Sequence, residues 1–394
     1  MLADHPERLL TWLVLALVCF GLVMVFSASS ASALLSDSDP LGLVTRQAIY
    51  ALIGLGVYLA CTRLRTATLR RAGRPALIVS VVLLLAVLVP GLGVEVNGAR
   101  RWFDLGPLQV QPAELAKLGL ILWLAADVAR RGTRLTDPRR LRPPLLVIAA
   151  VVGLILVEPD LGTAVTVGVV ALVMLIVAGA RPRHVALAAG LALSLAALAV
   201  AIEPYRRARL FAFLDPQHDT SGAGFQIMQA KIALGSGGIH GVGLGNGVQK
   251  IFYLPEAHTD MIVATVGEEL GLIGVLALIV AFGLLAVTGY RIAMRARDHH
   301  QQVLAAGLTT LVVVQATVNL GAVLGLLPVT GLPLPFVSFG GSSLLVFLAA
   351  TGLLVNIARA APARRLSAVP ERAAAGDDRR RWDRGPRHAR ARAG

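Results

Sequence analysis

Long apolar blocks, separated by short polar segments, make up most of this chain of 394 residues. A helix that crosses the hydrocarbon core of a bilayer needs about 20 predominantly apolar residues. The pattern predicts ten membrane-spanning helices, at residues 9–27, 43–62, 76–94, 113–129, 144–158, 162–180, 184–202, 261–289, 302–327 and 342–358. We therefore expect an all-α polytopic membrane protein.

Arginine alternates in density between successive connecting segments. It is dense around Arg70, Arg130, Arg139 and Arg291, and sparse in the segments between these. Because cytoplasmic loops carry an excess of Lys and Arg, both termini are predicted to be cytoplasmic. Residues 203–260 then form one long extracytoplasmic loop between the seventh and eighth helices, in which we expect short amphipathic helices on or re-entering the membrane face.

Composition supports a membrane protein. Hydrophobic residues make up 56% and charged residues 15% of the chain, whereas soluble domains have roughly 45–50% and about 25%. The net charge of +14 lies in short connecting segments and in the tail, so we expect no nucleic-acid partner. Cys19 and Cys61 both lie in apolar blocks, which excludes a disulfide between loops.

The chain divides into a membrane domain, residues 1–358, and a basic tail, residues 359–394. The tail is rich in Arg, Ala, Pro and Gly, so we expect it to be disordered in the cytoplasm. Attraction to the membrane surface is the simpler role for it, and docking of a cytoplasmic partner is the alternative.

Three groups that can handle protons lie at the end of the long loop: Glu256, His258 and Asp260. Thr259 or Asp260 could cap the following helix, but capping explains only one polar residue. Glu268 and Glu269 follow inside the eighth apolar block, where ionisable residues are costly and face the protein interior or a cavity. For that pair, a structural role and a catalytic role both stay open.

Other extracytoplasmic segments carry candidate substrate-binding groups. Arg100 and Arg101 run against the expected charge bias, and an arginine fork suits a pyrophosphate. Trp102 could anchor the membrane interface or stack on a sugar. Glu114 and Lys117 share a helix face, as a structural ion pair or as part of a site.

The last extracytoplasmic segment contains Ser338, Gly340, Gly341 and Ser342, at the start of the tenth helix. Free backbone N–H groups at a helix N-terminus favour an anion, and capping serines in a re-entrant turn are the structural alternative. In the long loop, Lys231 and Lys250 flank a glycine-dense run that would let the backbone approach a ligand closely.

Six motifs in this order resemble the SEDS family of FtsW and RodA type: GLVMVFSASS, NGARRW, EPDLGTA, GFQIMQAKIALGSGG, YLPEAHTD with GEELGLIG, and GLPLPFVSFGGSS. The first and fifth motifs are more similar to FtsW than to RodA. Met261, Phe339 and Phe252 depart from the usual pattern, and Phe252 puts in doubt any scheme that needs a second carboxylate there. The Arg- and Ala-rich composition is similar to that of actinobacterial members.

The resemblance implies a ten-helix SEDS fold and a peptidoglycan glycosyltransferase that polymerises lipid II into β-1,4 glycan strands outside the cell. It implies septal cell division as the setting, and as partners a cognate class B penicillin-binding protein and other divisome proteins. The essential aspartate falls on Asp260, the motif tryptophan on Trp102, and the polar pair of the fourth helix on Glu114 and Lys117.

The chemistry requires a base for the acceptor hydroxyl, which we assign to Asp260, and positive charge for the departing pyrophosphate. No cofactor is required by the motifs, and help from a divalent cation, Mg²⁺ or Mn²⁺, stays open. The alternatives are a lipid II flippase, a non-catalytic scaffold for the division transpeptidase, and a RodA-type elongation role.

Overall fold

The computed structural model describes residues 5–35, 39, 41–96, 99–104, 106, 108–131, 135–217 and 222–360. From residue 361 onward, the predicted basic tail lies outside the described residues. The helices are α1 (Pro6–Leu35), α2 (Gly42–Thr62), α3 (Thr66–Val87), α4 (Pro112–Arg131), α5 (Pro138–Val157), α6 (Leu161–Val177), α7 (Pro182–Ile202), α8 (Pro204–Leu214), α9 (Ala223–Gly237), α10 (Gln249–Phe252), α11 (Ile262–Met294), α12 (His299–Val323) and α13 (Gly341–Ala360).

The polytopic helical membrane fold is confirmed, but the number of ten spans is not. Within the described residues, seven helices are long and apolar enough to cross a membrane: α1, α2, α5, α7, α11, α12 and α13. Helix α6 is apolar but has only 17 residues. Helix α3 carries Arg70, Arg71 and Arg74, and α4 carries Glu114, Lys117 and Asp127. Both helices are therefore too highly charged to be counted as membrane-spanning by length and composition alone.

The charges of α4 are tolerated because protein, and not lipid, surrounds most of this helix. Helices α4, α12 and α13 form the centre of the bundle: most of α4 is buried, as are 78% of the most apolar stretch of α12 and 89% of that of α13. Helix α7 is at the other extreme, with 6% of its apolar stretch buried. An apolar helix with so little protein contact is one that faces lipid.

The segment before α4 folds into a small antiparallel sheet that the sequence patterns do not predict. Strand β1 (Val94–Val96) pairs with β2 (Ala99–Asp104), which pairs with β3 (Gln109–Val110). Helix α3 ends at Val87, so the predicted span 76–94 is displaced toward the N-terminus. The strands are short, and their polar alternation is too brief to separate from a loop by periodicity.

Helix α11 is broken where the sequence predicts one continuous span. Gly271 has φ +66° and ψ −163°, so the helical hydrogen-bond pattern is interrupted there. The loop after α9 replaces the missing partners, because Leu272 N and Ile273 N donate to Gly238 O and Ile239 O at 2.9 and 3.3 Å. Such exchange is what allows non-helical backbone at membrane depth.

The long segment 203–260 contains three short helices, α8, α9 and α10, within its described residues. Hydrogen bonds join it to the segment between α12 and α13, and Arg101 joins the strands to the α5–α6 turn, so these segments lie at one end of the bundle. The candidate polar residues therefore collect at that end.

Candidate functional site

Glu256, His258 and Asp260 lie in a compact turn immediately before α11. Glu256 has φ +56°, a strained value of the kind that clusters at functional sites. Its carbonyl accepts from Thr259 N at 3.0 Å, and its carboxylate accepts from the Thr259 hydroxyl at 2.7 Å. Helix α11 begins at Ile262 without a side-chain cap, so the capping role considered for Thr259 or Asp260 is not what the structure shows.

The Asp260 carboxyl is held in a form suited to proton transfer. Burial, with the Glu256 carboxylate adding to the effect, raises its pKa to about 6, and the Arg209 guanidinium and the Thr259 hydroxyl oppose the rise. Burial lowers the pKa of His258. At neutral pH, Asp260 is therefore ionised but readily protonated, while His258 is uncharged.

Two amides on α12 connect this turn to the rest of the polar centre, and the sequence reasoning missed both. Asn319 Nδ2 donates to Asp260 O at 2.7 Å and to Leu332 O at 2.8 Å. One helical turn earlier, Gln315 Nε2 donates to Pro333 O at 2.9 Å. Two buried amides four residues apart in an apolar helix were the available signal, because such groups hydrogen-bond across helices.

Glu114 and Lys117 form a fully buried ion pair. Lys117 Nζ donates to Glu114 Oε1 and to Gln315 Oε1, both at 2.7 Å, and lies 5.6 Å from the ring centroid of Phe347. The second Glu114 oxygen has no hydrogen-bond partner. Gln315 and Asn319 donate to the adjacent carbonyls of Pro333 and Leu332, so the ion pair and the Asp260 turn are both tied to the same loop segment.

The segment 338–342 is also integrated into the protein. His258 O accepts from Phe339 N at 2.9 Å, which brings the last loop against the Asp260 turn. Ser338 O accepts from Gln47 Nε2 at 3.1 Å, and Gly340 N donates to Gln47 Oε1 at 3.4 Å. Ser342 is buried, and its hydroxyl donates to Gln109 O at 2.9 Å.

Gly341 packs against the Tyr50 ring so closely that a Cβ atom would overlap it. The small residues at this helix start therefore have a packing role. Ser338, Gly340, Gly341 and Ser342 therefore belong to a packed, hydrogen-bonded segment beside the Asp260 turn.

The arginines of β2 differ in their surroundings. Arg100 is partly exposed and its Nε lies 3.3 Å from Glu95 Oε2. Arg101 donates from Nε and Nη2 to the carbonyls of Glu158 and Pro159 at 2.7 and 2.9 Å, which fixes the α5–α6 turn to the sheet. Trp102 lies beside them on β2 and is partly buried.

Glu158, in the turn that Arg101 holds, is a third residue to which the sequence assigned no role. It is fully buried, and neither carboxylate oxygen has a hydrogen-bond partner. Burial, with Asp160 adding and Arg101 opposing, raises the pKa of Glu158 to about 8. Its carboxyl is therefore mainly neutral at pH 7.

The side chains of Lys250 and Lys231 contact groups outside the Asp260 turn. Lys250 Nζ donates to Glu269 Oε1 at 2.5 Å and to the Ser27 hydroxyl at 2.9 Å, in a buried cluster between α1, α10 and α11. Glu268 accepts from two backbone N–H groups, those of Val248 and Gln249. The Lys231 side chain is exposed and lies against Gly325.

The structure thus joins Glu256, His258, Asp260 and the pair Glu114–Lys117, and packs residues 338–342 beside them. It places Lys250 and Glu269 in a separate structural cluster. Among the described residues, no three His, Cys, Asp or Glu side chains come together as a protein-only metal site. A carboxyl whose pKa is raised toward neutrality is an arrangement for accepting a proton from a substrate hydroxyl.

The family resemblance is confirmed by comparison with known proteins. The chain matches over residues 7–362 a family model described as "Cell cycle protein" and named for FtsW, RodA and SpoVE. It is 44% identical over 355 residues to "Probable peptidoglycan glycosyltransferase FtsW" of Geobacter sulfurreducens, which covers 90% of this chain and 95% of that relative. The relative of the same description from Thioalkalivibrio sulfidiphilus is 43% identical over 363 residues, which cover 91% of this chain and 90% of that relative. The likeness to actinobacterial members stays a prediction.

Solved structures share the fold. One, described as "Structural coordination of polymerization and crosslinking by a peptidoglycan synthase complex", superposes with a TM-score of 0.73 at 36% identity and covers 89% of this chain and 97% of that chain. The rod shape determining protein RodA of Thermus thermophilus gives a TM-score of 0.66 at 33% identity, covering 89% and 95%.

Proposed function

This chain belongs to the FtsW/RodA/SpoVE family of cell cycle proteins and is a peptidoglycan glycosyltransferase, and we propose that it polymerises lipid II with Asp260 as the general base. The observation that carries the assignment is the setting of Asp260: Asn319 and Phe339 fix its turn through the carbonyls of Asp260 and His258, its carboxyl caps no helix, and burial raises its pKa to about 6. A general base works best when its pKa lies near the operating pH.

In the proposed reaction, the acceptor's 4-hydroxyl oxygen attacks the anomeric carbon of the donor. The new bond joins that carbon to O4, the bond from the carbon to the pyrophosphate oxygen breaks, and Asp260 takes the hydroxyl proton. Attack opposite the leaving group converts an α-linked donor into a β-1,4-linked product. The pyrophosphate leaves as an anion, so a nearby positive charge lowers the barrier and no general acid is needed.

Of the candidate cations, Arg100 and Lys231 are the accessible ones. Lys117 and Lys250 form ion pairs with buried carboxylates, and Arg101 donates hydrogen bonds to carbonyls of the α5–α6 turn. A divalent cation, Mg²⁺ or Mn²⁺, held mainly by substrate phosphates would supply further positive charge. We propose that the site faces outward, because the arginine-rich loops are the ones expected in the cytoplasm. We also propose that the protein works at the division septum, as the family resemblance implies.

We propose a cognate class B penicillin-binding protein as partner, along with other divisome proteins and membrane lipid. One structural relative is a synthase complex that couples polymerisation to crosslinking. A polymerase whose glycan product is crosslinked by a transpeptidase needs a site that the partner can approach. A site at one end of the bundle meets that need.

The test is a polymerisation assay with labelled lipid II, using the full chain and a transpeptidase-inactive class B partner in detergent. Asp260→Asn should reduce turnover at least about 100-fold, because a positioned base contributes 10²–10⁴-fold. Asp104→Asn, which changes an exposed carboxylate on β2, is the matched control and should leave turnover intact.

Retained turnover in folded Asp260→Asn would overturn the assignment of the base. No glycan from the wild-type complex, with divalent cation added, would move the interpretation to a flippase or scaffold. A lipid II flipping assay in liposomes would then separate those two.

A further inference from the structure

Gln47, on α2, is a buried amide to which neither the motifs nor the proposed reaction assigns a role. We propose, on the basis of the function above, that Gln47 is a positioning residue, which holds the segment 338–340 against the turn that carries Asp260. Both polar atoms of the Gln47 side chain bond to this one segment, and the segment contacts His258 in that turn.

The side chain of Gln47 bonds to the backbone on both sides of Phe339. Its Nε2 donates to Ser338 O at 3.1 Å, and its Oε1 accepts from Gly340 N at 3.4 Å. One planar amide is therefore bonded to the residue before Phe339 and to the residue after it. Rotation of this backbone segment would break at least one of the two bonds and leave a buried polar atom without a partner, which is unfavourable.

Phe339 connects this constraint to the Asp260 turn through two contacts. Its backbone N–H donates to His258 O at 2.9 Å, and its ring centroid lies 5.8 Å from that of the His258 imidazole, with an interplanar angle of 57°. His258 precedes Asp260 by two residues in the same turn. Asn319 binds the turn independently, at Asp260 O. The turn therefore has one anchor directly from α12 and another from α2 through Phe339.

The loop that leads into this segment is closed on itself and locally strained. Ser338 N donates to Leu334 O at 3.1 Å, and Leu334 N donates to the Ser338 hydroxyl at 2.9 Å. Within the closed loop, Phe336 has φ +66°, a value that is uncommon for a residue other than glycine. Such a conformation persists only when the surrounding contacts hold it in place. Gln47 supplies two of these contacts, so its loss should let the loop and the Asp260 turn relax.

The alternative is that Gln47 only contributes to the packing of α2, and the chain offers a matched control for it. Asn356, on α13, is also a buried amide. Its Nδ2 donates to three backbone carbonyls at the end of α2, those of Cys61, Thr62 and Leu64. Along α13, Asn356 lies about 22 Å from Gly341, given the rise of an α-helix. Asn356 therefore has the same kind of contacts with α2 as Gln47 has with its loop, but far from the Asp260 turn.

The experiment measures kcat and KM separately for the polymerisation of labelled lipid II by the full chain in its partner complex. Gln47→Met keeps the length of the side chain but removes both hydrogen-bonding groups. We expect kcat to fall about 10- to 100-fold while KM changes less than about twofold, because a base displaced by about 1 Å loses such a factor and the substrate contacts stay in place. Gln47→Asn, whose amide is one methylene shorter, should show the same pattern with a smaller loss, and it provides the test if Gln47→Met does not fold.

Asn356→Leu is the control and should keep kcat near that of the wild type. An equal loss of kcat in Asn356→Leu would overturn the proposal, because the loss would then come from helix packing in general. Wild-type kcat in folded Gln47→Met would overturn it as well, and so would a raised KM at unchanged kcat, which would indicate a role in substrate binding. Failure of the proposed function would look different, because the wild-type complex would then form no glycan or Asp260→Asn would stay active.

Discussion

The buried cluster of Lys250, Glu269 and Ser27 gives a test that separates a structural cation from a substrate-binding one. The Glu269 carboxylate is fully buried and accepts from Lys250 at 2.5 Å, from the Ser27 hydroxyl at 2.7 Å and from Gly245 N at 3.1 Å. Lys250→Met removes the only cation in contact with it among the described residues. The carboxylate then stays buried with neutral donors alone.

The expected cost follows from that geometry. Breaking a buried ion pair by removing one partner costs 3–5 kcal/mol, because an uncompensated charge remains. Two neutral donors stay in place here, so we expect a loss of about 3 kcal/mol. In the double variant Lys250→Met with Glu269→Gln, both groups are neutral and the same donors still reach the amide oxygen, so most of that loss should be recovered.

The assay pairs thermal unfolding in detergent with lipid II polymerisation. Lys250→Met should unfold several degrees below the wild type, and the double variant should approach it in both unfolding and turnover. As a contrast, Arg100→Gln breaks a pair whose side chains are 38% and 54% exposed, and such pairs contribute only about 0–1 kcal/mol. If the double variant is as stable as the wild type yet inactive, Lys250 contacts substrate and the structural interpretation is refuted.

Two further variants test the break in α11 and the buried acid of the α5–α6 turn. Gly271→Ala should lower the unfolding temperature, because φ +66° is strained for alanine and its Cβ would meet the backbone of Ile239 and Gly241; Gly283→Ala, a helical position in α11 with open space around it, should not. Glu158 has a pKa raised to about 8, so the folded state binds its proton more tightly than the unfolded state, and its contribution is full at low pH and is lost as pH rises toward 8. Glu158→Gln should therefore flatten the pH dependence of unfolding between about pH 5 and 8, and an unchanged slope in that range would contradict the assignment.

Local sequence determined the helices, the alternation of loops and the position of Asp260. These features depend on short-range properties, namely runs of apolar residues long enough for a bilayer, arginine density and polar groups at a helix start. The pairing of Glu114 with Lys117 could also be predicted, because residues three apart on a helix share a face. The number of membrane spans could not be settled in this way. The apolar residues of α3 and α4 predict spans, but both helices carry too many charges to be counted as spans by composition.

Tertiary structure alone decided the partners of the other polar groups. Lys250 meets Glu269 and Ser27, and Asn319 meets Asp260, over separations along the chain at which no periodicity carries information. The break at Gly271 depends likewise on the distant loop that supplies its hydrogen bonds. The physical reason is the same in each case: a buried polar group must find a partner, but which partner it finds depends on how the helices pack.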